Sequence, residues 1–208
     1  MKKIFIALFV PLIACSQSLP HVNKPNPNDI KIDERCENCG GLYESPVPFS
    51  QLNEIDTVSC FNEPGPKLYV SGIVYQKDGK TPAADIILYF YHTDQTGVYP
   101  KRGNEKGYAR DHGYLRGWLR TNAKGEYHIY TLRPGSYPDS RNPAHIHMVV
   151  KQPGVEAYWI EDFFFADDPL LPGSSDVSRN PRGGNGVLTI EHKNGMQVAR
   201  RNIWLEWM

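Results

Sequence analysis

Two histidines and a tyrosine in the stretch SYPDSRNPAHIHMVV (136–150) are of residue types that bind transition metals. On a β-strand the side chains of His145 and His147 point to the same face, because successive residues alternate. Imidazole nitrogens are suitable ligands for iron, copper and zinc. Tyr137 lies shortly before them in a turn bounded by prolines, which restrict the backbone there. The pattern predicts half of a mononuclear metal site, with a phenol as a further candidate ligand.

Three short motifs connect this stretch with a known family. Residues 134–138 read PGSYP, residues 143–147 read PAHIH, and ILYFYHTDQTGVY (87–99) ends in Gly-x-Tyr. Taken in chain order, with the Gly-x-Tyr first, they resemble the intradiol ring-cleavage dioxygenases, which include the protocatechuate and catechol dioxygenases. The resemblance covers about residues 65–170. Its PAHIH element is the more specific part, because the strand pattern around it is shared by many extracellular modules without chemistry.

The resemblance implies a mononuclear Fe(III) site with two tyrosine and two histidine ligands. The matching residues in this chain are Tyr99, Tyr137, His145 and His147. Tyr137 is also the implied catalytic base, which leaves the iron when a catechol-like substrate arrives and accepts a proton from it. The implied reaction uses O2 to open the ring between the two hydroxyl-bearing carbons, which gives a muconate-type diacid. Metal and substrate carry the difficult step, and the protein contributes geometry and electrostatics.

The residues before the histidine pair depart from the family's usual pattern. The family has an arginine directly before PAHIH, whose guanidinium steadies the activated substrate. Here Asn142 stands at that position and Arg141 lies one residue earlier, so we assign the catalytic role to Arg141. A residue that precedes proline is extended, and a shift by one residue therefore changes the direction of the side chain. Other arginines are alternatives for this role: Arg116, Arg120 and Arg133.

A second departure falls on the strand that follows. The family carries a glutamine there, whereas the stretch WIEDFFFADDP offers Glu161 or Asp162. A carboxylate at this position would repel a catecholate unless it were protonated or turned away.

The chain that must position these residues is predicted to be all-β. Short runs rich in β-branched and aromatic residues, such as LYVSGIVYQ and DIILYFYHT, are bounded by turn signals such as KDGK, RPGS and HKNGM. Residues 65–208 suffice to bury one core, which predicts a single antiparallel β-sandwich of the prealbumin-like type. Residues 16–64 are rich in Pro, Asn, Asp and Ser, and we expect a tether that leads into an irregular segment containing cysteines.

The N-terminus has the features of a secretory signal. Two lysines precede an apolar run at residues 4–13 that is too short to span a bilayer. Residues 12–15 (LIAC) resemble the bacterial lipobox, which implies that Cys15 is lipidated and becomes the first residue of the mature protein. Such a protein is anchored to a membrane without spanning it. Ser16 resembles the outer-membrane sorting pattern, so the expected location is the cell envelope.

Three cysteines remain after the predicted cleavage, and their pairing is left open by the sequence. A disulfide joins either Cys36 to Cys39 or Cys60 to one of that pair, and each choice leaves one thiol. Zinc binding by CENC is the weaker alternative, because the chain has no second CxxC. A formal net charge of zero gives no field that would attract nucleic acid. The helical region through which many family members dimerise has no counterpart, so the oligomeric state is unassigned.

Two further hypotheses compete with a ring-cleaving enzyme. One is a catalytically inactive, lipid-anchored β-sandwich binding module with a vestigial metal site, which the altered positions around Asn142 favour. The other is a zinc or copper site on the same histidines, which is weaker because two tyrosine ligands are unusual for those metals.

Overall fold

The computed structural model describes residues 30, 32–33, 36 and 38–206, so the predicted signal segment and Cys15 lie outside the described residues. Helical structure in the described part is short: two 3-10 helices, Cys39–Glu44 and Phe49–Gln51, and one α-helix, α1 (Ala109–His112). No helix in these described ranges is long and apolar enough to cross a membrane.

Strands account for most of the regular structure. In chain order they are β1 (Ile55–Thr57), β2 (Lys67–Tyr75), β3 (Ile87–Tyr91), β4 (Arg116–Arg120), β5 (Glu126–Leu132), β6 (His145–Lys151), β7 (Tyr158–Phe165), β8 (Val187–Leu188), β9 (Glu191–Lys193), β10 (Met196–Arg200) and β11 (Ile203–Trp204). One sheet has the order β1-β5-β2-β10-β9, with β11 also paired to β2, and the other has the order β4-β3-β6-β7-β8. The predicted all-β sandwich is therefore confirmed.

The two sheets enclose one core because their strands alternate between buried and partly exposed residues. Strand β2 follows this alternation over its whole length, as expected for a strand with one face on a core. The inner faces supply the largest apolar cluster, which includes Leu68, Val70, Tyr127, Ile129, Leu88, Phe90, Ile146, Met148 and Val150.

The central pairings are antiparallel, and parallel pairings are added towards the edges. Strand β2 runs antiparallel to β5, and β3 runs antiparallel to both β4 and β6. Strands β1, β8, β10 and β11 each join a neighbour in parallel. A parallel neighbour requires a longer crossover connection, which the loop between β7 and β8 provides. The sequence pattern gave no sign of these edge pairings.

Strand β3 is buried on both faces, which explains its uninterrupted apolar run ILYFY. Its outer face carries Tyr89 and Tyr91, and these pack in a second, smaller apolar cluster with Cys39 and Leu42. The indole Nε1 of Trp118 donates to the carbonyl of Leu42 at 2.9 Å. The N-terminal segment therefore covers the outer face of this sheet.

Contacts with the sheets also involve residues before 65, within the segment that the sequence predicted to be irregular. Strand β1 pairs with β5, and the 3-10 helix Cys39–Glu44 is tied to the sheet by an ion pair of 2.6 Å between Glu44 and Arg116. The sequence pattern missed this because the contacts of the segment are with distant strands and leave no local periodicity. Cys36 and Cys39 form the disulfide, and Cys60 is a buried free thiol.

Candidate metal centre

The two predicted histidine ligands lie side by side on the outer face of β6. Ile146 and Met148 point into the core between the sheets, so the alternation of the strand directs His145 and His147 outwards. Their Nε2 atoms are 3.2 Å apart. The prediction that both imidazoles share one face is therefore confirmed by the geometry.

Two loops bring the predicted tyrosines to the same point. The hydroxyls of Tyr99 and Tyr137 are 2.7 Å apart. The Tyr137 hydroxyl lies 3.3 Å from the Nε2 atoms of both His145 and His147, and the Tyr99 hydroxyl lies 2.9 Å from Nε2 of His147. Two phenol oxygens and two imidazole nitrogens thus converge on one small volume. Tyr99, rather than Tyr108 or Tyr114, is the tyrosine that reaches the histidines.

The two tyrosine loops are held against each other by backbone contacts. The amide of Gly135 donates to the carbonyl of Asp94 at 2.7 Å, and the Thr93 hydroxyl donates to the carbonyl of Gly135 at 2.8 Å. Gly97 has φ +80°, and a Cβ there would lie 1.8 Å from the carbonyl oxygen of Ser136. Glycine at 97 is therefore required both by the backbone conformation and by the close approach of the second loop.

Each histidine uses its far nitrogen to fix the direction of its ring. Nδ1 of His145 donates to the carbonyl of Pro143 at 2.7 Å, and Nδ1 of His147 lies 3.1 Å from Oδ2 of Asp162. With Nδ1 protonated, the lone pair of a neutral imidazole is on Nε2. Both lone pairs therefore point to the volume that the two phenols also reach.

A β-bulge places Asp162 beside His147. Ile146 pairs with Phe163 and Met148 pairs with Ile160, so Glu161 and Asp162 together oppose the single residue His147. Of this acidic pair, Glu161 is buried and accepts a hydrogen bond from the amide of Ser178, at 2.8 Å. Asp162 is therefore the carboxylate at the site, and it contacts a histidine ring.

His145, His147 and Asp162 also form a compact group of potential metal ligands. However, Asp162 contacts Nδ1 of His147, whereas the two tyrosine hydroxyls and His145 lie on the Nε2 side of that ring. The Nε2 side of His147 therefore offers a possible ion four donor atoms, two phenol oxygens and two imidazole nitrogens, while Asp162 lies on the opposite side of the ring. The arrangement with two phenols accounts for more of the convergent atoms.

Burial favours the neutral forms of Tyr99, Tyr137 and His145 in the absence of a cation. It raises the pKa of Tyr99 and of Tyr137, and the charge of Asp162 raises both further. It also lowers the pKa of His145, with a contribution from the neighbouring His147. Two phenols that resist ionisation become phenolates when a highly charged cation compensates them, so the donor set is suited to a trivalent ion.

A stack of aromatic rings packs against His147. The ring of Tyr91 stacks on His147 with a centroid distance of 4.6 Å, and on its other neighbour His112 at 3.7 Å. Nδ1 of His112 lies 2.6 Å from the hydroxyl of Tyr89. His112, which the sequence did not connect with the site, is buried and restricts the position of His147 through Tyr91. His92, which is also buried, contacts the Thr93 carbonyl and the Thr131 hydroxyl.

The predicted catalytic Arg141 is exposed and lines a surface groove with Asn142 and Asp176. Asn142 donates from its amide to Asp176 at 2.8 Å. The alternative arginines are paired with carboxylates elsewhere: Arg116 with Glu44, Arg120 with Asp85, and Arg133 with Asp167. A role for Arg141 towards a substrate stays a prediction.

Comparison with known proteins connects this geometry with a family. The family model described as Dioxygenase (Dioxygenase_C) matches residues 44–201, which include all four convergent side chains. The chain belongs to the intradiol ring-cleavage dioxygenases. Members of this family use non-haem iron, and catechol-like substrates and O2 are what the family implies. The match begins at Glu44, the last residue of the 3-10 helix that packs on the outer face of the sheet, and so includes only part of that N-terminal segment.

Similarity to individual intradiol dioxygenases is distant. The chain is 26% identical over 113 residues to the protocatechuate 3,4-dioxygenase beta chain of Burkholderia cepacia, covering 51% of this chain and 48% of that protein. It is 24% identical over 151 residues to the intradiol ring-cleavage dioxygenase prcA of Aspergillus niger, covering 64% of this chain and 45% of that protein. The chain therefore spans about half the length of these curated relatives.

Solved structures share the fold at low identity. The dioxygenase domain of a dioxygenase carbohydrate-binding protein fusion from Streptomyces sp. SirexAA-E superposes with a TM-score of 0.59 at 20% identity, covering 76% of this chain and 93% of that one. Catechol 1,2-dioxygenase from Acinetobacter sp. ADP1 gives a TM-score of 0.55 at 19% identity, covering 73% and 56%. At these identities the likeness establishes the β-sandwich and not the substrate.

Proposed function

We propose that the protein is a non-haem Fe(III) intradiol dioxygenase that opens the ring of catechol-type aromatics with O2. The observation that carries this proposal is the convergence of two phenol oxygens and two imidazole nitrogens, with contacts of 2.7–3.3 Å. Membership of the family supports the reaction class, and the substrate is left at the level of a catechol.

The donor set fits a ferric ion. Tyr99 and Tyr137 supply two oxygens that become anionic, and His145 and His147 supply two neutral nitrogens with their lone pairs directed to the same volume. Zinc and copper sites are built mainly from histidine, cysteine and carboxylate ligands. Two phenolates instead balance most of the charge of a trivalent cation, so these four residues would hold iron in its ferric state.

The residues of the chain have distinct tasks in this reaction. Tyr99, His145 and His147 would hold the metal, and iron bound there would supply the Lewis acidity that activates a catechol towards O2. Tyr137 accepts the proton that a catechol hydroxyl loses on binding. Its burial, with the nearby carboxylates of Asp162 and Asp176, raises its pKa, so its phenolate is a comparatively strong base.

The proposed products follow from the atoms involved. The bond between the two hydroxyl-bearing ring carbons breaks, and each of these carbons gains one oxygen atom from O2. Both carbons end as carboxyl groups of a muconate-type diacid, and no further reductant is needed. The chain contributes a fixed position for the substrate and a proton acceptor at Tyr137.

Metal analysis combined with visible spectroscopy tests the proposal. Protein reconstituted with iron is expected to hold a single ferric ion per chain and to be coloured, because phenolates transfer charge to Fe(III) in the visible range. Adding catechol without O2 should change the spectrum, and admitting O2 should yield the ring-opened diacid, detected by mass spectrometry. His147→Ala, prepared in the same way, serves as the control without colour or turnover.

The outcomes separate the competing hypotheses. A protein that stays colourless and binds no iron contradicts the proposal, because it has no functional ferric site. A coloured ferric protein that consumes no O2 with a panel of catechols contradicts the enzyme and favours a binding module with a vestigial site. Preferential retention of zinc or copper would favour the third hypothesis.

We also propose that the protein is attached to the cell envelope through a lipid on Cys15. The support is the signal-like sequence of residues 1–15, together with the disulfide between Cys36 and Cys39, since disulfides persist in oxidising compartments. Expressed in a bacterial host, the protein should fractionate with membranes and carry a lipidated N-terminal peptide in mass spectrometry. Cys15→Ala should lose both properties, and a wild-type protein without lipid would contradict the anchor.

A further inference from the structure

The two histidines of the metal centre have different partners at their far nitrogens. Nδ1 of His145 donates to a neutral backbone carbonyl, that of Pro143. Nδ1 of His147 instead faces the carboxylate of Asp162 at 3.1 Å. A carboxylate partner raises the basicity of an imidazole more than a carbonyl does, because the hydrogen bond is charge-assisted. The two ligands are therefore electronically unequal.

The bulge in β7 explains why Asp162 contacts His147. A regular pairing would place one residue opposite His147, whereas here Glu161 and Asp162 share that place. The extra residue turns Glu161 towards Ser178 and leaves Asp162 directed to the histidine. Bulges of this kind re-aim side chains beside functional sites.

The surroundings preserve the influence of the carboxylate. The side chains of His147 and Asp162 are 25% and 26% exposed, so solvent only partly screens their interaction. Tyr91 stacks on the His147 ring and limits its rotation. The hydrogen-bond direction and the ring plane are thus fixed together, as a stable carboxylate–histidine–metal arrangement requires.

From this geometry we infer that Asp162 is a positioning residue that orients His147 and stabilises the ferric over the ferrous state of the bound ion. The inference rests on the proposed function, because it concerns the same metal site. Two phenolates balance two of the three charges of a ferric ion, and the Asp162 carboxylate balances the third. The ferrous state would carry an excess negative charge in this setting, which disfavours reduction.

Two substitutions separate the charge of Asp162 from its hydrogen bond. Asp162→Asn keeps an oxygen that can accept from Nδ1 of His147 but removes the charge, and Asp162→Ala removes both. We expect Asp162→Asn to shift the Fe(III)/Fe(II) midpoint potential upwards. We expect Asp162→Ala to weaken ferric-ion binding by about 10–100-fold, measured by competition with a chelator.

Asp176→Asn is the matched control. It makes the same charge change close to the site, but Asp176 contacts Asn142 and has no contact with a ligand histidine in the described structure. We expect it to change the potential and the ferric affinity by less than Asp162→Asn does, because Asp176 acts on Tyr137 and His145 only through its charge. Thermal unfolding of the metal-free proteins identifies any variant whose loss reflects misfolding, and Asp162→Asn, being isosteric, is the variant expected to fold normally.

The results distinguish failure of this inference from failure of the proposed function. Wild-type protein that binds no ferric ion contradicts the proposed function itself. A wild-type protein that binds iron, together with folded Asp162 variants of unchanged potential and affinity, overturns the inference alone. Equal shifts in Asp162→Asn and Asp176→Asn would also overturn it, because they would indicate a general field rather than the contact with His147.

Discussion

Replacing Tyr137 by phenylalanine is expected to lower kcat/KM for catechol by about 100- to 10,000-fold, the range of a general base. The substitution removes only the hydroxyl, which lies 2.7 Å from that of Tyr99 and 3.3 Å from both histidine nitrogens. The remaining donors, Tyr99, His145 and His147, still suffice to hold iron. The expected variant is therefore coloured but nearly inactive, and steady-state O2 uptake measures the loss.

Tyr99→Phe is the matched comparison for this prediction. It removes the same chemical group from the neighbouring loop but takes away a tyrosine that we expect to stay on the metal throughout. We expect it to lose the tyrosinate charge-transfer absorption when catechol displaces Tyr137, whereas Tyr137→Phe retains that absorption with substrate bound. A Tyr137→Phe enzyme with near wild-type turnover would contradict the assignment of the base and would transfer that role to Tyr99 or to solvent.

Replacing Gly97 by alanine is expected to disrupt the site without touching a ligand. The new methyl carbon would lie 1.8 Å from the carbonyl oxygen of Ser136 and 3.1 Å from the Cα of Tyr137. The two tyrosine loops must therefore separate by more than an ångström, a displacement that can cost about 100-fold in activity. We also expect the free energy of unfolding to fall by about 3 kcal/mol, measured by denaturant titration.

Gly103→Ala controls for the backbone conformation. Gly103 also has a positive φ, +92°, but nothing lies within 4 Å of a Cβ at that position. Gly103→Ala should lower the free energy of unfolding only by the strain of the left-handed region, about 1 kcal/mol, and should retain iron binding. If the two variants behaved alike, the contact between the loops would not be what holds Tyr99 and Tyr137 together.

The four convergent side chains were predictable because local sequence determines much of their placement. Alternation on a strand puts His145 and His147 on one face, and glycine and proline mark the turns that carry Tyr99 and Tyr137. Their convergence, in contrast, depends on the pairing of β3 with β6, which brings the two loops to one end of the sheet. The resemblance to a family supplied that information.

The contact between Asp162 and His147 was not predictable from the sequence. An acidic pair was visible at 161–162, but which member faces the site depends on the bulge opposite His147, and a carboxylate there was expected to repel substrate. The structure gives that carboxylate a histidine partner instead. Register irregularities arise from pairing across strands and leave little trace in one strand alone.

The packing of the N-terminal segment on the outer face of this sheet was not predictable for a related reason. The uninterrupted run ILYFY indicates a strand buried on both faces, but not which segment supplies the second layer. Residues Cys39–Glu44 take that place through contacts with Trp118 and Arg116. The sequence also left the disulfide open, and only the fold brings Cys36 rather than Cys60 to Cys39.

The location of the candidate metal centre outside the inter-sheet core has an evolutionary consequence. All four candidate ligand atoms come from one outward-facing strand surface and two loops, while the apolar cluster between the sheets is formed by the opposite faces. Ligand residues can therefore be exchanged during divergence with little damage to the scaffold that carries them. A lineage with this architecture is free to gain, retune or abandon its chemistry while inheriting the same sandwich.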